Sequence, residues 1–326
     1  MLSLVRHRRP AWINVTKPVG IRFMSVRPAE KDVFKSVSAR KKVTIQRLRA
    51  LAAENIPITV LTAYDYPTGL RSERNDIDIC LVGDSLAQVA LGYDSTTRLT
   101  LEEIIHHCKA VSRAAKTPML VADMPFGTFH SGLDETVRNA VRLVRDGCVE
   151  AVKVEGGLEV VPTVERLTSL GIPVMGHVGL TPQRHTALSG FRVQGRDASP
   201  GVAILRSAQA LQDAGAFSIV IEAVPHLLAG YITQKLDIPT IGIGAGSQTS
   251  GQVLVHDDAL GVWSGHKAKF VRRFAEIGVI SNEGVAAYAR AVRAREFPSE
   301  AESYAMNAGQ WEEFERLTAP DSSSGP

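Results

Sequence analysis

From about residue 44 onward, short apolar, β-branched runs alternate with longer segments of helical spacing. The strand-like runs fall at 58–63, 77–82, 118–122, 151–154, 173–177, 217–221, 240–243 and 261–263. Most are nearly continuous in apolar residues rather than alternating, the pattern of parallel strands covered on both faces. Ahead of the first, residues 44–54 space Ile45, Leu48, Leu51 and Ala52 along one side of an amphipathic helix. Residues 100–115, 134–145 and 203–214 read as further helices. Gly147 and Gly215 follow the last two, where glycine stops a helix. Eight strand–helix units over about 250 residues predict a single (β/α)8 TIM barrel over 44–305, with an N-terminal helix ahead of strand 1. An open, doubly wound sheet is the alternative that the pattern leaves standing. The tail, 306–326, ends in Ser322-Ser323-Ser324-Gly325-Pro326 and is expected to be disordered.

Composition removes several function classes. No apolar run approaches the roughly 18 residues of a membrane helix. Aromatics make up 6% of the chain, too few for a base-stacking platform. Cys80, Cys108 and Cys148 form no CxxC pair and are odd in number, which suits small buried hydrophobes better than a disulfide framework. The net charge of +3 comes from the front: residues 1–29 hold Arg6, Arg8, Arg9, Lys17, Arg22 and Arg27 and no acid. Without those six, 31 bases face 34 acids, a mildly acidic body that suits neither nucleic acid nor an anionic membrane. An Arg-rich, acid-free, Ser-punctuated leader has the composition of a mitochondrial transit peptide, and Arg22-Phe23-Met24-Ser25 is similar to a matrix-protease cleavage site. Residues 1–43 are therefore expected to be presequence and linker, and the mature protein to be mitochondrial. A disordered basic tail is the other reading of the same residues.

Candidate chemistry lies where the acids fall. Asp84, Asp123, Glu155 and Glu222 each end an apolar run on its C-terminal side. In a parallel barrel those ends open onto one face, the face that carries the active site. Converging carboxylates repel one another unless a cation offsets them. A hard divalent ion such as Mg²⁺ suits oxygen ligands, whereas the His/Cys spacing of a zinc site is missing from the sequence. Capping of the following helix or loop is the competing explanation for any single acid. Lys153 precedes Glu155 by two residues, so both point into the barrel mouth, as an anion-binding ammonium or as a structural ion pair. His177 also ends a run, as a satisfied core histidine or as a catalytic one. The pair His106-His107 reads as helix surface, and 242–246 as a tight turn after the seventh strand.

These residues sit in segments that, in order, resemble ketopantoate hydroxymethyltransferase over about 44–305. The segments include Thr62-Ala63-Tyr64-Asp65-Tyr66, Leu81-Val82-Gly83-Asp84-Ser85-Leu86 and Ala122-Asp123-Met124-Pro125-Phe126. They continue through Val152-Lys153-Val154-Glu155-Gly156-Gly157, Gly176-His177-Val178-Gly179-Leu180-Thr181-Pro182-Gln183 and Glu222-Ala223-Val224-Pro225. The resemblance implies Asp84, Asp123 and Glu155 as Mg²⁺-binding residues. It implies substrate contacts from Ser85 and Lys153, with Asp84 and Asp123 beside them, and Glu222 as general base. Tyr64 and His177 are candidates for the active-site wall. It further implies a reaction joining 3-methyl-2-oxobutanoate to the one-carbon unit of 5,10-methylenetetrahydrofolate to give ketopantoate, the first step of pantothenate biosynthesis, in a homo-oligomer that is decameric in the family. Rival readings are another Mg²⁺-dependent 2-oxo-acid lyase or mutase barrel, which would share the strand-end acids, and a barrel that binds small acids without turning them over.

Overall fold

A computed structural model describes residues 40–263, 265 and 267–319. The expected presequence, 1–29, lies outside the described residues, as does the end of the tail from 320. Eight parallel strands close on themselves in chain order. They are β1 (Ile58–Thr62), β2 (Ile79–Val82), β3 (Met119–Asp123), β4 (Ala151–Glu155), β5 (Val174–Gly179), β6 (Ser218–Glu222), β7 (Thr240–Ile243) and β8 (Gly251–Leu254). Pairing of β1 with β8, Ile58 opposite Gly251 through Leu61 opposite Leu254, completes the ring and decides for the barrel over the open sheet.

Around and beyond the strands run α1 (Ile45–Ala53), α2 (Tyr66–Arg74), α3 (Leu86–Val89), α4 (Leu101–Ala114), α5 (Leu133–Gly147), α6 (Val161–Ser169), α7 (Ala198–Asp213), α8 (His226–Lys235), α9 (His256–Leu260), α10 (Ile277–Arg293) and α11 (Ala308–Thr318). Their starts follow local chemistry. Asp65 and Thr100 close capping boxes with Thr68 and Glu103 at the heads of α2 and α4, satisfying otherwise orphaned N–H groups. Apolar side chains divide into two layers. Ile58, Val60, Leu81, Val121, Met175, Val220 and Val253 fill the barrel interior. Cys80, Val82, Ile104, Leu143, Val164 and Leu211 pack between strands and helices. Cys80 and Cys108 are thus buried small hydrophobes, while Cys148 is exposed.

Three expectations need correction. The eighth strand is not at 261–263 but at Gly251–Leu254. It is short, carries a glycine and an exposed Gln252, and follows β7 without a helix, so its apolar signal is faint. Gly251 is required there because a Cβ would lie 2.4 Å from the Ile58 carbonyl oxygen. Gly261 instead closes α9 in the left-handed conformation. The helix expected to stop before Gly147 includes it, and Cys148 takes the left-handed turn at φ 60°. The tail is helical over Ala308–Thr318: Asn307 caps it, and Trp311, Phe314 and Leu317 recur every third residue within a polar sequence that masks the period.

Candidate active site

The C-terminal ends of β2, β3, β4, β5 and β6 bring Asp84, Asp123, Lys153, Glu155, His177 and Glu222 to one cavity of about 210 Å³. Register accounts for the gathering. Asp123 lies opposite Lys153, Glu155 opposite His177, and Gly179 opposite Glu222. Residues far apart in sequence therefore become neighbours around the rim. A larger groove of about 560 Å³ lies at the opposite, N-terminal rim beside α1 and α8, away from these groups.

Lys153 is the central cation. Its ammonium donates to Asp123 Oδ1 at 2.5 Å and lies 3.6 Å from Glu155 Oε1, with 6% of the side chain exposed. Burial opposes its charge, but Asp123, Glu155 and Asp84 outweigh burial and raise its pKa. Asp84 anchors through its backbone N–H to Asp123 Oδ2 at 2.9 Å. Its carboxyl is pushed well above the usual carboxylate range, first by burial and then by Asp123 and Glu155. Glu155 accepts from the Gln183 backbone N–H at 3.0 Å. Burial opposes its ionisation, yet His177 and Lys153 hold it down at about 2. His177 stands between two glutamates, Nδ1 3.5 Å from Glu155 Oε1 and Nε2 3.2 Å from Glu222 Oε2. Burial alone would lower it, but Glu155 leads the groups that raise it to about 9. His177 is buried and lines the cavity together with both glutamates.

Ser85 lines the same cavity. Tyr64 is not among its lining residues: its hydroxyl donates to Asp257 Oδ1 at 2.7 Å, and its ring sits edge-on to His256. His106 is exposed, as its mid-helix place suggests, but His107 is half-buried and meets the Tyr64 carbonyl through a ring nitrogen. Two contributors had no assigned part in the sequence reading. Gln183 is buried, and its amide donates to Asp84 Oδ2 at 2.9 Å and to the Met124 carbonyl at 3.0 Å, so one residue steadies both Asp84 and Glu155. Asp258 reaches the cavity from α9. Their signal was slight, a glutamine after a strand and the second of two adjacent acids.

The donor set fits an oxygen-preferring divalent cation. Five carboxylates, Asp84, Asp123, Glu155, Glu222 and Asp258, line the cavity with Lys153 and His177, and burial together with the neighbouring Asp123 and Glu155 disfavours charge on Asp84. Among the described residues no three His, Cys, Asp or Glu side chains form a ready ligand cage, since Lys153 lies against both Asp123 and Glu155.

A closed barrel with acids, a lysine and a histidine converging at its C-terminal mouth has the architecture of a (β/α)8-barrel enzyme. A family model for ketopantoate hydroxymethyltransferase matches residues 42–300. The chain is 42% identical over 314 residues to the 3-methyl-2-oxobutanoate hydroxymethyltransferase of Emericella nidulans, across 96% of this chain and 89% of that one. It is 48% identical over 276 residues to the protein of the same name from Oleidesulfovibrio alaskensis, across 84% of this chain and 95% of that one. The chain belongs to the ketopantoate hydroxymethyltransferase family and is a hydroxymethyltransferase. Among solved structures it resembles a phosphonopyruvate hydrolase in complex with oxalate and Mg++ (TM-score 0.51, 14% identity, 84% of this chain and 96% of that one). It also resembles a putative phosphonomutase from Burkholderia cenocepacia (TM-score 0.52, 10% identity, 77% and 99%). At those identities the likeness is one of fold, and the lyase or mutase reading gives way to the family.

Proposed function

We propose that this enzyme makes ketopantoate from 3-methyl-2-oxobutanoate and 5,10-methylenetetrahydrofolate, in the first step of pantothenate biosynthesis, with Mg²⁺ held by Asp84 and Asp123 and supported by Glu155. The observation that carries the reading is the meeting of Asp84, Asp123, Lys153, Glu155 and Glu222 on one cavity. The metal, when bound, supplies Lewis acidity at the keto oxygen. Lys153 and Ser85 hold the substrate carboxylate. Glu222 takes the proton from C3, a positioned base contributing about 10²–10⁴-fold. His177, at 3.2 Å from Glu222, holds that carboxylate in place. C3 of the resulting enolate then bonds to the folate-borne carbon, the carbon–nitrogen bonds to folate break, and water supplies the hydroxyl. The proton from C3 and the second proton of water end on the folate nitrogens. Val220, Ile243 and Val253 line the cavity and exclude bulk water, which strengthens electrostatic contacts inside.

An assay of the purified protein with 3-methyl-2-oxobutanoate, run with and without methylenetetrahydrofolate and Mg²⁺, tests this. Product formation needing all three is expected; turnover that ignores folate would refute it. The mitochondrial assignment rests on the acid-free leader and is tested by locating a fluorescent fusion with and without residues 1–29. The homo-oligomer is supported by α10, on which no residue is buried while Val279, Ile280, Val285 and Tyr288 are exposed. Light scattering of the purified protein would read a monomer if that assignment is wrong.

A further inference from the structure

The cavity carries one acid that the reaction above does not use. Asp257 and Asp258 are adjacent on α9 but have opposite fates. Asp257 is buried and tied internally, accepting from Tyr64 Oη at 2.7 Å and lying 2.8 Å from His256 Nδ1. Asp258 is half-buried and lines the active cavity. Among the described residues its carboxylate receives no hydrogen bond and forms no ion pair, although burial and Asp257 both disfavour its charge. Arg273, the cation that favours its charge, is engaged by Glu276 and by the Trp263 carbonyl. A half-buried carboxylate with no protein partner is free to accept from a bound ligand that donates.

Of the two substrates proposed above, only one can donate there. A branched 2-oxo acid offers acceptor oxygens and methyl groups. The glutamyl tail of folate is itself anionic. The pterin ring carries a ring N3–H beside an exocyclic 2-amino group, two parallel donors matched to two carboxylate oxygens. The same cavity supplies walls for a flat ring. Phe191 and Phe270 line it, 63% and 38% exposed. Phe270 is seated against Gly244, where a Cβ would approach its ring to 2.7 Å. Phe191 is stacked parallel on His185, with centroids 5.7 Å apart. Aromatic faces of this kind cover a heteroaromatic ring well.

We propose that Asp258 binds the N3–H and 2-amino edge of the reduced pterin, with Phe191 and Phe270 flanking its ring. The proposal rests on the folate reading above and deepens it. A doubly hydrogen-bonded, charge-assisted contact predicts that Asp258→Asn weakens tetrahydrofolate binding about 10–100-fold. Calorimetric titration of the full chain with tetrahydrofolate, in the presence of Mg²⁺ and 3-methyl-2-oxobutanoate, measures this. Because the variant could disturb α9, the wild-type protein is also titrated with a reduced folate whose 2-amino group is replaced by methyl. A comparable loss with that analogue supports the contact. Equal affinity of the wild-type protein for both folates overturns it, as does unchanged affinity in Asp258→Asn. If the wild-type protein binds no tetrahydrofolate at all, the folate reading itself fails and this assignment falls with it.

Discussion

Replacing Lys153 by methionine tests the electrostatic centre of the site. Its ammonium lies 2.5 Å from Asp123 and 3.6 Å from Glu155. With an effective dielectric of about 20, those distances correspond to attractions of about 7 and 5 kcal/mol. Desolvation of each buried ion costs several kcal/mol, so the net worth of the cluster is small. The cost of orphaning it is not. Methionine fills much of the same volume but leaves Asp123 and Glu155 buried without their shared cation, which costs about 3–5 kcal/mol. Total stability of a domain is about 5–15 kcal/mol, so the loss is a large fraction of it. Urea unfolding of the chelator-treated protein, followed by circular dichroism, should show that loss. The double variant Lys153→Met/Asp123→Asn should recover at least half of it, because the amide removes one orphaned charge. A Lys153→Met protein within about 1 kcal/mol of wild type, or strict additivity in the double variant, would refute the placement of this pair at the energetic centre.

Glu222→Gln should abolish solvent exchange of the C3 proton, read by NMR, while binding of 3-methyl-2-oxobutanoate stays within a few-fold; undiminished exchange would reject Glu222 as the base. Asp123→Ala should raise the Mg²⁺ concentration for half-maximal activity at least tenfold, and activity persisting in excess chelator would remove the metal from the scheme. His177 has its pKa raised from 6.5 to about 9, so its ion pairing stabilises the fold fully below 6.5 and is lost as pH rises through 9. In chelated protein, His177→Gln should flatten that decline in urea midpoint between pH 7 and 9, and an unaltered slope would contradict the pairing. Gly179 has φ +93° and a Cβ there would lie 2.3 Å from the Glu222 carbonyl oxygen, so Gly179→Ala should cost about 1–3 kcal/mol and depress kcat by displacing the base. Wild-type kcat in that variant would show that Glu222 does not depend on this approach.

Seven strands were legible because buried parallel strands need apolar residues on both faces, and β-branched runs such as Ile219-Val220-Ile221 have few other uses. The eighth was not, because Gly251 and Gln252 meet local needs, a close approach and an exposed face, that erase the apolar run. The gathering of the strand-end acids follows from the shared C-terminal face of parallel strands, and the common face of Lys153 and Glu155 from period-two alternation. The station of His177 between two glutamates depends on the register of β4, β5 and β6, which no single segment contains. Gln183 and Asp258 depend on loop paths that period and propensity do not encode.

The seam between the first and last strands sets a delay in biosynthesis. Thr62 accepts a hydrogen bond from the His256 backbone N–H, 194 positions later, and Tyr64 reaches Asp257 across the same join. At roughly 5–20 residues per second, the free edge of β1 waits about 10–40 s on the ribosome for its partner. During that interval an unpaired strand is open to the wrong neighbour, so mispairing threatens the unfinished chain more than the closed barrel.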